Sequence, residues 1–506
     1  MGPDDPLELD GRPAPGRAEI SEAGVTLDGW EAVVGLEVHC ELKTATKLFC
    51  GCRNSFGDEP NTNICPVCLG LPGSLPVLNA AAVEMAMRIG TALNCDIRPS
   101  SFHRKNYFYP DMPKDYQISQ YDEPINVGGW LDLPDGSRVG IVRAHIEEDT
   151  GKTTHLGASG RIHGASSSLV DYNRAGVPLV EIVSEPDIRS AEQARAYAAE
   201  LRGILVATGA SDGRMEEGSM RVDANVSVRR VGSDRLGTRC EVKNLNSLRS
   251  LGRAIEYEMR RQVEILASGG SVAQETRHFD EVKGMTVAMR SKEEAFDYRY
   301  FPEPDLVPLA PDDSWRTRVA ASLGEMPAAR RARLVELAAN ASSGPHLEAS
   351  LSNQVATVVD LGLDDLVVAA ISAGIDPSLA LARAANEAAA NAEAASGLDP
   401  SAFATLLGME AGGKLSATQA KAVLAEMLAH GGDPETIARA KGFEALGDDE
   451  LARAVREAVS ANPAEWERYQ AGEEKLAQFF VGQVMKATRG RADGKAVVAE
   501  LGRLRG

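Results

Sequence analysis

The ten residues Val34-Gly-Leu-Glu-Val-His-Cys-Glu-Leu-Lys43 alternate apolar and polar without a slip. In an extended chain successive side chains leave on opposite faces, so Leu36, Val38, Cys40 and Leu42 line one side and Glu37, His39 and Glu41 the other. Side chains two apart on one face lie roughly 6.5 to 7 Å from each other, near enough for Glu37 and His39 to converge on one ion or phosphate. A half-buried strand with a wet outer face is the plainer alternative.

The length of 506 residues sets an expectation of about three domains. With 54 basic against 73 acidic residues, net charge -19, bulk attraction to nucleic acid is excluded and any such contact must be local. No run approaches eighteen apolar residues, and the acidic, Pro-containing start lacks a secretory signal, so no membrane span is expected and the cytosol is the expected compartment. There four cysteines crowded between Cys50 and Cys68 read as metal ligands rather than as disulfides.

Residues 1–29 carry seven acids and two bases with no apolar period and are expected to be a disordered acidic leader. From residue 30 to 309 short alternating runs, turn signals at Gly128-Gly129 and Pro134-Asp-Gly136, and helical spacing over Ala191–Thr208 and Leu248–Ala267 predict one large mixed domain. Beyond residue 310 alanine dominates and strands fade, predicting an all-helical remainder with a boundary at Gly397, hence units 310–397 and 398–506. Residues 484–506 hold six Lys or Arg against two acids, among them Lys486, Arg489 and Arg491, a basic patch that could equally be a solvated helix face.

Cys50-Gly-Cys52, twelve residues, then Cys65-Pro-Val-Cys68 forms two tight pairs. Four thiolates suit tetrahedral Zn²⁺ and leave no open position, so the expected role is structural; an iron-sulfur cluster or free buried thiols are the alternatives. A second knot, His145-Ile-Glu147-Glu148-Asp149, places three acids together, and with Glu37 and His39 they make a candidate Mg²⁺ cage. Gly151-Lys152-Thr153 is not a P-loop, because Ile146 stands where that motif needs glycine. Asp223 and Asn225 form another oxygen-rich set, and Lys243 offers a point charge for phosphate. Six of the 25 aromatic residues fall within residues 102–121, around Lys105, Tyr107 and Tyr109, which suggests a stacking platform or else a loop packed on itself.

Several of these stretches, Gly35-Leu-Glu-Val-His39, Arg104-Lys-Asn-Tyr-Phe-Tyr-Pro-Asp111, Glu147-Glu-Asp-Thr-Gly-Lys152, Glu181-Ile-Val-Ser-Glu-Pro-Asp187, Val242-Lys-Asn-Leu-Asn246 and Asp297-Tyr-Arg-Tyr-Phe-Pro-Glu-Pro-Asp305, closely resemble the B subunit of the bacterial aspartyl/glutamyl-tRNA amidotransferase. The likeness runs through nearly all of residues 31–309; the helical remainder resembles the family in layout and in Phe480-Val-Gly-Gln-Val-Met-Lys486. It implies an α+β fold, a cradle-like mixed catalytic domain followed by a helical linker and a helical tRNA-binding tail.

The resemblance also implies ATP-dependent amidation of mischarged Glu-tRNA(Gln) or Asp-tRNA(Asn). It puts Mg²⁺ on Glu37, His39 and one acid of the Glu147-Glu148 pair. Strand parity favours Glu147, which shares a face with Arg143 and His145; the family alignment falls on Glu148, which is adopted here with Glu147 second. His39, an unusual Mg²⁺ ligand, has orientation of phosphate or ammonia as its alternative role. The sequence carries neither a Gly-Gly-Ser-Ser amidase signature nor a Gly-x-Cys-x-Gly glutaminase elbow, so the implied ammonia source is an amidase-type A subunit, with a small C subunit completing a heterotrimer. The rival readings are a zinc-stabilised RNA-binding protein, which leaves the acids unexplained, and a ligase for a free amino acid, which has no use for a basic tail.

Overall fold

The computed structural model describes residues 19–21, 24–27, 29–156, 165–289, 298–341, 349–443, 448–488, 492 and 494–505. The chain divides into two compact units, Met1–Met326 and Pro327–Gly506.

The first unit is organised on the alternating strand, here β1 (Trp30–Glu41). Along the chain follow β2 (Phe102–Asn106), β3 (Tyr116–Gln120), β4 (Arg138–Glu148), β5 (Pro178–Ser184), β6 (Met220–Arg230), β7 (Cys240–Leu245), β8 (Thr276–Asp280), β9 (Met285–Ala288) and β10 (Phe301–Pro302). The sheet runs β9-β8-β7-β6-β1-β5-β4-β3-β2-β10, antiparallel throughout except between β7 and β8. One correction concerns the leader. Glu19–Ser21 and Gly24–Leu27 form a hairpin that pairs onto the start of β1 through a reversal at Gly29, φ +79°, so its last third belongs to the sheet; the expectation for residues 1–18 lies outside the described residues.

On the apolar side of β1, Leu36, Val38, Cys40 and Leu42 are at most 1% exposed. They join a core built with α1 (Ala80–Ala92), α2 (Ala191–Ala207) and α3 (Leu248–Ala267), whose buried stripes include Met87 and Ile89, Tyr197 and Leu201, and Leu251 and Ile255. Each large apolar side chain withdrawn in this way contributes about 1.5 to 3 kcal/mol. The three helices begin where a side chain satisfies a free amide: Asn79 accepts from Ala81, Ser190 from Gln193 and Ser247 from Ser250. On α3 the fully buried Glu258 is matched by Arg261 at 2.6 Å, Arg277 of β8 at 3.3 Å and the Thr286 hydroxyl of β9 at 2.8 Å, which ties the helix to that sheet edge.

In the second unit every regular element among the described residues is helical. The dipeptides Asp376-Pro377, Asp399-Pro400 and Asp433-Pro434 each start a helix, the aspartate capping exposed amides while proline fills the first turn without needing a donor. One apolar core runs straight through the expected break at Gly397, joining Leu366 and Ile371 to Phe403 and Leu407. A separate core gathers Val455, Tyr469, Phe480, Val484, Val497 and Leu501. Core continuity therefore changes after residue 443, not at 397: a glycine after a helix ends the helix without ending the packing.

Candidate active site

The register of four strands brings the polar residues of β1 beside those of its neighbours. Glu181 of β5 stands opposite both His39 of β1 and His145 of β4; Leu179 stands opposite Glu147; Asp223 and Arg221 of β6 stand opposite Glu37 and His39. Because each strand alternates, Arg143, His145, Glu147, Glu181, Glu37, His39, Glu41, Arg221, Asp223 and Asn225 all leave the sheet on the side away from the helices. β5 is apolar except for Glu181 and Ser184.

His39, Glu147 and Glu181 converge, with one ligand-type atom from each lying within 4.8 Å of the others. His39 Nε2 is 3.3 Å from Glu181 Oε2, and Arg143 reaches Glu181 Oε1 at 3.5 Å. Glu147 accepts from the Ser119 hydroxyl at 3.3 Å and lies 3.8 Å from His145. Burial alone would depress His39, but its hydrogen bond to Glu181 and the charges of Glu181, Glu147 and Asp223 hold the imidazole at about 9. Burial works against the charge on Glu181 too, yet His145, His39 and Lys105 keep its carboxyl below the usual range.

Other acids on the face are less well served. Glu37 is pushed up by burial and by the charges of Glu181 and Glu241, although Asn225 donates to it at 2.9 Å. Glu41 is pushed up to about 8 by burial and by Asp149, whose own carboxylate Arg221 holds at 3.0 Å and Arg174 at 3.6 Å. Two carboxyls forced toward their neutral forms mark a face with more negative charge than its own cations offset, and a hard divalent cation with oxygen ligands fits that deficit. The side chains whose ligand-type atoms lie close enough to share one ion are Glu147, Glu181 and His39; Glu37, where the deficit is felt, stands beside them.

Lysines flank the acids. Burial opposes the charge of Lys105, but Glu147, Tyr300 and Glu181 raise its pKa, and its ammonium lies 4.8 Å from the centre of the Tyr298 ring. Lys243 bonds Glu241 at 2.7 Å and Asp223 at 3.3 Å. Asp223 is further engaged by the Asn244 amide at 2.8 Å, so it serves Lys243 and the local turn. Tyr107 and Tyr109 stack at 5.4 Å, as do Tyr121 and Tyr300 at 4.0 Å; Phe108, Tyr109 and Tyr121 remain exposed.

The four thiols Cys50, Cys52, Cys65 and Cys68 lie within 4.8 Å of one another. Tetrahedral Zn²⁺ with Zn–S of ~2.3 Å places sulfurs roughly 3.8 Å apart, so the set fits with small adjustment. The Cys65 amide donates to Cys68 Sγ at 3.1 Å, and Gly70, φ +66°, closes that turn. A hydrogen bond from Cys50 lowers the Cys68 thiol to about 5, while burial and a bond with Cys65 push Cys52 up to about 11.

Not every expected residue joins the site. Glu148 leaves β4 on the opposite face, bonded to Lys114 and to the Ile118 amide at 2.9 Å; one residue's step along a strand reverses the side-chain direction, and the choice of Glu148 over Glu147 is corrected on that ground. Glu37 stands beside the trio rather than within it. Lys486 is exposed near the end of the helix Leu476–Ala487, and Arg489 and Arg491 lie outside the described residues. Glu181 was not among the expected ligands, although a lone acid inside Pro-Leu-Val-Glu-Ile-Val-Ser was the available signal.

Residues 32–317 match the family described as the GatB/GatE catalytic domain, and residues 376–503 the one described as the GatB domain. A protein of Mycobacterium sp. (strain KMS), named as the B subunit of aspartyl/glutamyl-tRNA(Asn/Gln) amidotransferase, is 50% identical over 499 residues, covering 95% of this chain and 97% of the relative. Proteins of the same name from Mycobacterium bovis (strain BCG / Pasteur 1173P2) and Mycobacterium tuberculosis (strain ATCC 25618 / H37Rv) are 50% identical over 498 residues, covering 95% of this chain and 96% of each relative.

Proposed function

The chain belongs to the GatB/GatE family of amidotransferase B subunits, components of ligase-type enzyme complexes, and from that premise we propose that it performs the ATP-dependent transamidation of Glu-tRNA(Gln), Asp-tRNA(Asn) or both. Oxide is too poor a leaving group for ammonia to displace from a carboxylate, so activation must come first. A side-chain carboxylate oxygen of the aminoacyl group attacks the γ-phosphorus of ATP, the bond to the β–γ bridging oxygen breaks, and ADP leaves. Ammonia then attacks the acyl carbon and phosphate departs, leaving the amide. Ammonia reaches the site from a partner glutaminase of the A-subunit type, with a small C subunit completing a cytoplasmic heterotrimer.

The observation that carries this reading is the convergence of His39, Glu147 and Glu181 on a polar sheet face flanked by Lys105 and Lys243. Bound there, Mg²⁺ would neutralise phosphate charge. The protein's own groups have distinct tasks. Glu147 and Glu181 offer oxygen ligands, with Glu37 beside them. His39 is oriented by Glu181 and orients phosphate or ammonia in turn. Lys105 and Lys243 offer point charges to phosphate oxygens, and Asp223 and Asn225 fix Lys243 and Glu37. Tyr107 and Tyr109 present a stacking surface for a base. The four cysteines would hold structural Zn²⁺, and Lys486, Arg489 and Arg491 would meet the tRNA backbone. The catalytic region is taken as the first compact unit, which runs past residue 309 to Met326, with a helical linker and tail beyond it.

The test is ATP hydrolysis by the assembled complex. Stimulation by charged tRNA alone, with Glu-tRNA(Gln) and Asp-tRNA(Asn) assayed separately, supports the reading and assigns the substrate. Hydrolysis that is indifferent to aminoacylation, or that responds to free glutamate or aspartate, overturns it.

A further inference from the structure

Glu148 has no place on the carboxylate face, and its surroundings give it another task. Its carboxylate is 2% exposed and paired with the ammonium of Lys114, whose side chain is 6% exposed. The same carboxylate accepts the Ile118 amide, and Gln117 donates to the Glu148 carbonyl at 2.7 Å, so both ends of the residue are bound to β3. Lys114 lies directly against the cysteine knuckle. A Cβ on Gly70 would fall 2.4 Å from Lys114 Cγ, and one on Gly176 would touch Cys68 Cβ at 3.6 Å and Glu148 Oε2 at 3.8 Å. Cys50, Cys68, Gly70, Lys114 and Glu148 line one small cavity.

β4 ends at Glu148, and in the ladder between β3 and β4 the paired residues are Ser119 and Glu147. β5 holds the other edge of this strand end, pairing Pro178 with Glu148 and Leu179 with Glu147, so on the β3 side the bonds made by Glu148 set its spacing from that strand. A buried carboxylate stays with its cation, because leaving either charge unpaired in the interior is costly. Any displacement at Glu148 is carried through one peptide unit to Glu147.

We infer that Lys114 and Glu148 are positioning residues, a buried strut through which the cysteine knuckle sets the placement of Glu147 on the opposite face of the sheet. The inference rests on the reading of His39, Glu147 and Glu181 as a cation cage. It gives the knuckle a role in the chemistry beyond holding its own loop.

The experiment uses the full chain with Mn²⁺ as the probe, its dissociation constant read by electron paramagnetic resonance, together with zinc content and thermal unfolding midpoint. Lys114→Met is expected to weaken Mn²⁺ binding about tenfold while zinc is retained, a magnitude in the range seen when groups behind metal ligands are removed. Lys114→Arg, which keeps the pair, is expected to stay within about twofold of the parent. Should Lys114→Met not fold, Glu148→Gln, which retains an acceptor for the Ile118 amide, carries the expectation of a two- to fivefold loss. A folded Lys114→Met, or failing that Glu148→Gln, that binds Mn²⁺ like the parent overturns the strut. Glu147→Gln separates the two levels. If it weakens Mn²⁺ binding while Lys114→Met does not, only the strut falls; if it too has no effect, the cation-cage reading falls and the strut with it.

Discussion

Glu147 and Glu148 are consecutive residues of one strand whose carboxylates lie on opposite faces of the sheet, Glu147 beside His39 and Glu181 and Glu148 against Lys114. Two acids that look interchangeable in the sequence therefore meet different chemistry: one stands in a cluster of ionisable groups, and the other is closed off in a pair with a single lysine.

If these oxygens serve phosphoryl transfer as proposed, Glu147→Gln and Glu181→Gln are each expected to lower amidated tRNA formation by about 100-fold or more, while glutamine hydrolysis by the proposed partner survives at least in part. Glu37→Ala should also abolish product. The check is a single-turnover assay of amidated tRNA beside a glutaminase assay of the same complex; normal product formation by any variant removes that residue from the site.

One zinc per chain is expected, with Cys65→Ser releasing it and lowering the unfolding temperature. Elemental analysis of reduced protein decides: iron, or no metal at all, sinks the assignment of Cys50, Cys52, Cys65 and Cys68.

Glu258→Ala is expected to destabilise the first unit by about 1.5 to 3 kcal/mol, because it strips Arg261 and Arg277 of the buried carboxylate and leaves them only that of Glu275. Denaturant unfolding measures this, and a loss below about 1 kcal/mol would contradict the view that the knot secures α3 to β8 and β9.

Deleting residues 448–506 is expected to weaken tRNA binding and flatten its salt dependence, each lost phosphate contact removing about 0.7 to 0.9 from the logarithmic slope. The cut belongs after residue 443 because the core that crosses Gly397 ends there, and an excision from residue 401 would open that core. Arg503 and Arg505 are already paired with Glu500 and Glu474, so Lys486 and the basic residues 489 and 491 are expected to supply most of the effect. Unchanged binding at every salt concentration would send the search for the tRNA site to the aromatic surface around Tyr107.

Parity was legible from the sequence: the faces of β1 and the grouping of Arg143, His145 and Glu147 follow from alternation alone. The thiol cluster was legible from spacing, and the helical second unit from composition. Strand order was not legible. Glu181 reaches His39 only because β5 inserts between β1 and β4, a pairing of segments about 140 residues apart that no local pattern encodes. Parity alone separates Glu147 from Glu148, and a likeness between sequences carries no parity; the leader hairpin is hidden because its strands are three and four residues long. At Gly397 a helix breaks and the core does not.

The two-sided character of β1 also limits how the gene can change. Substitutions along it alter one side chain at a time, but a single codon inserted between Leu36 and Glu37 would turn every later side chain over, sending Glu37 and His39 into the core and Val38 and Cys40 into the site. This strand can drift in spelling but not in length, and in-frame insertions are tolerable only in pairs or outside it.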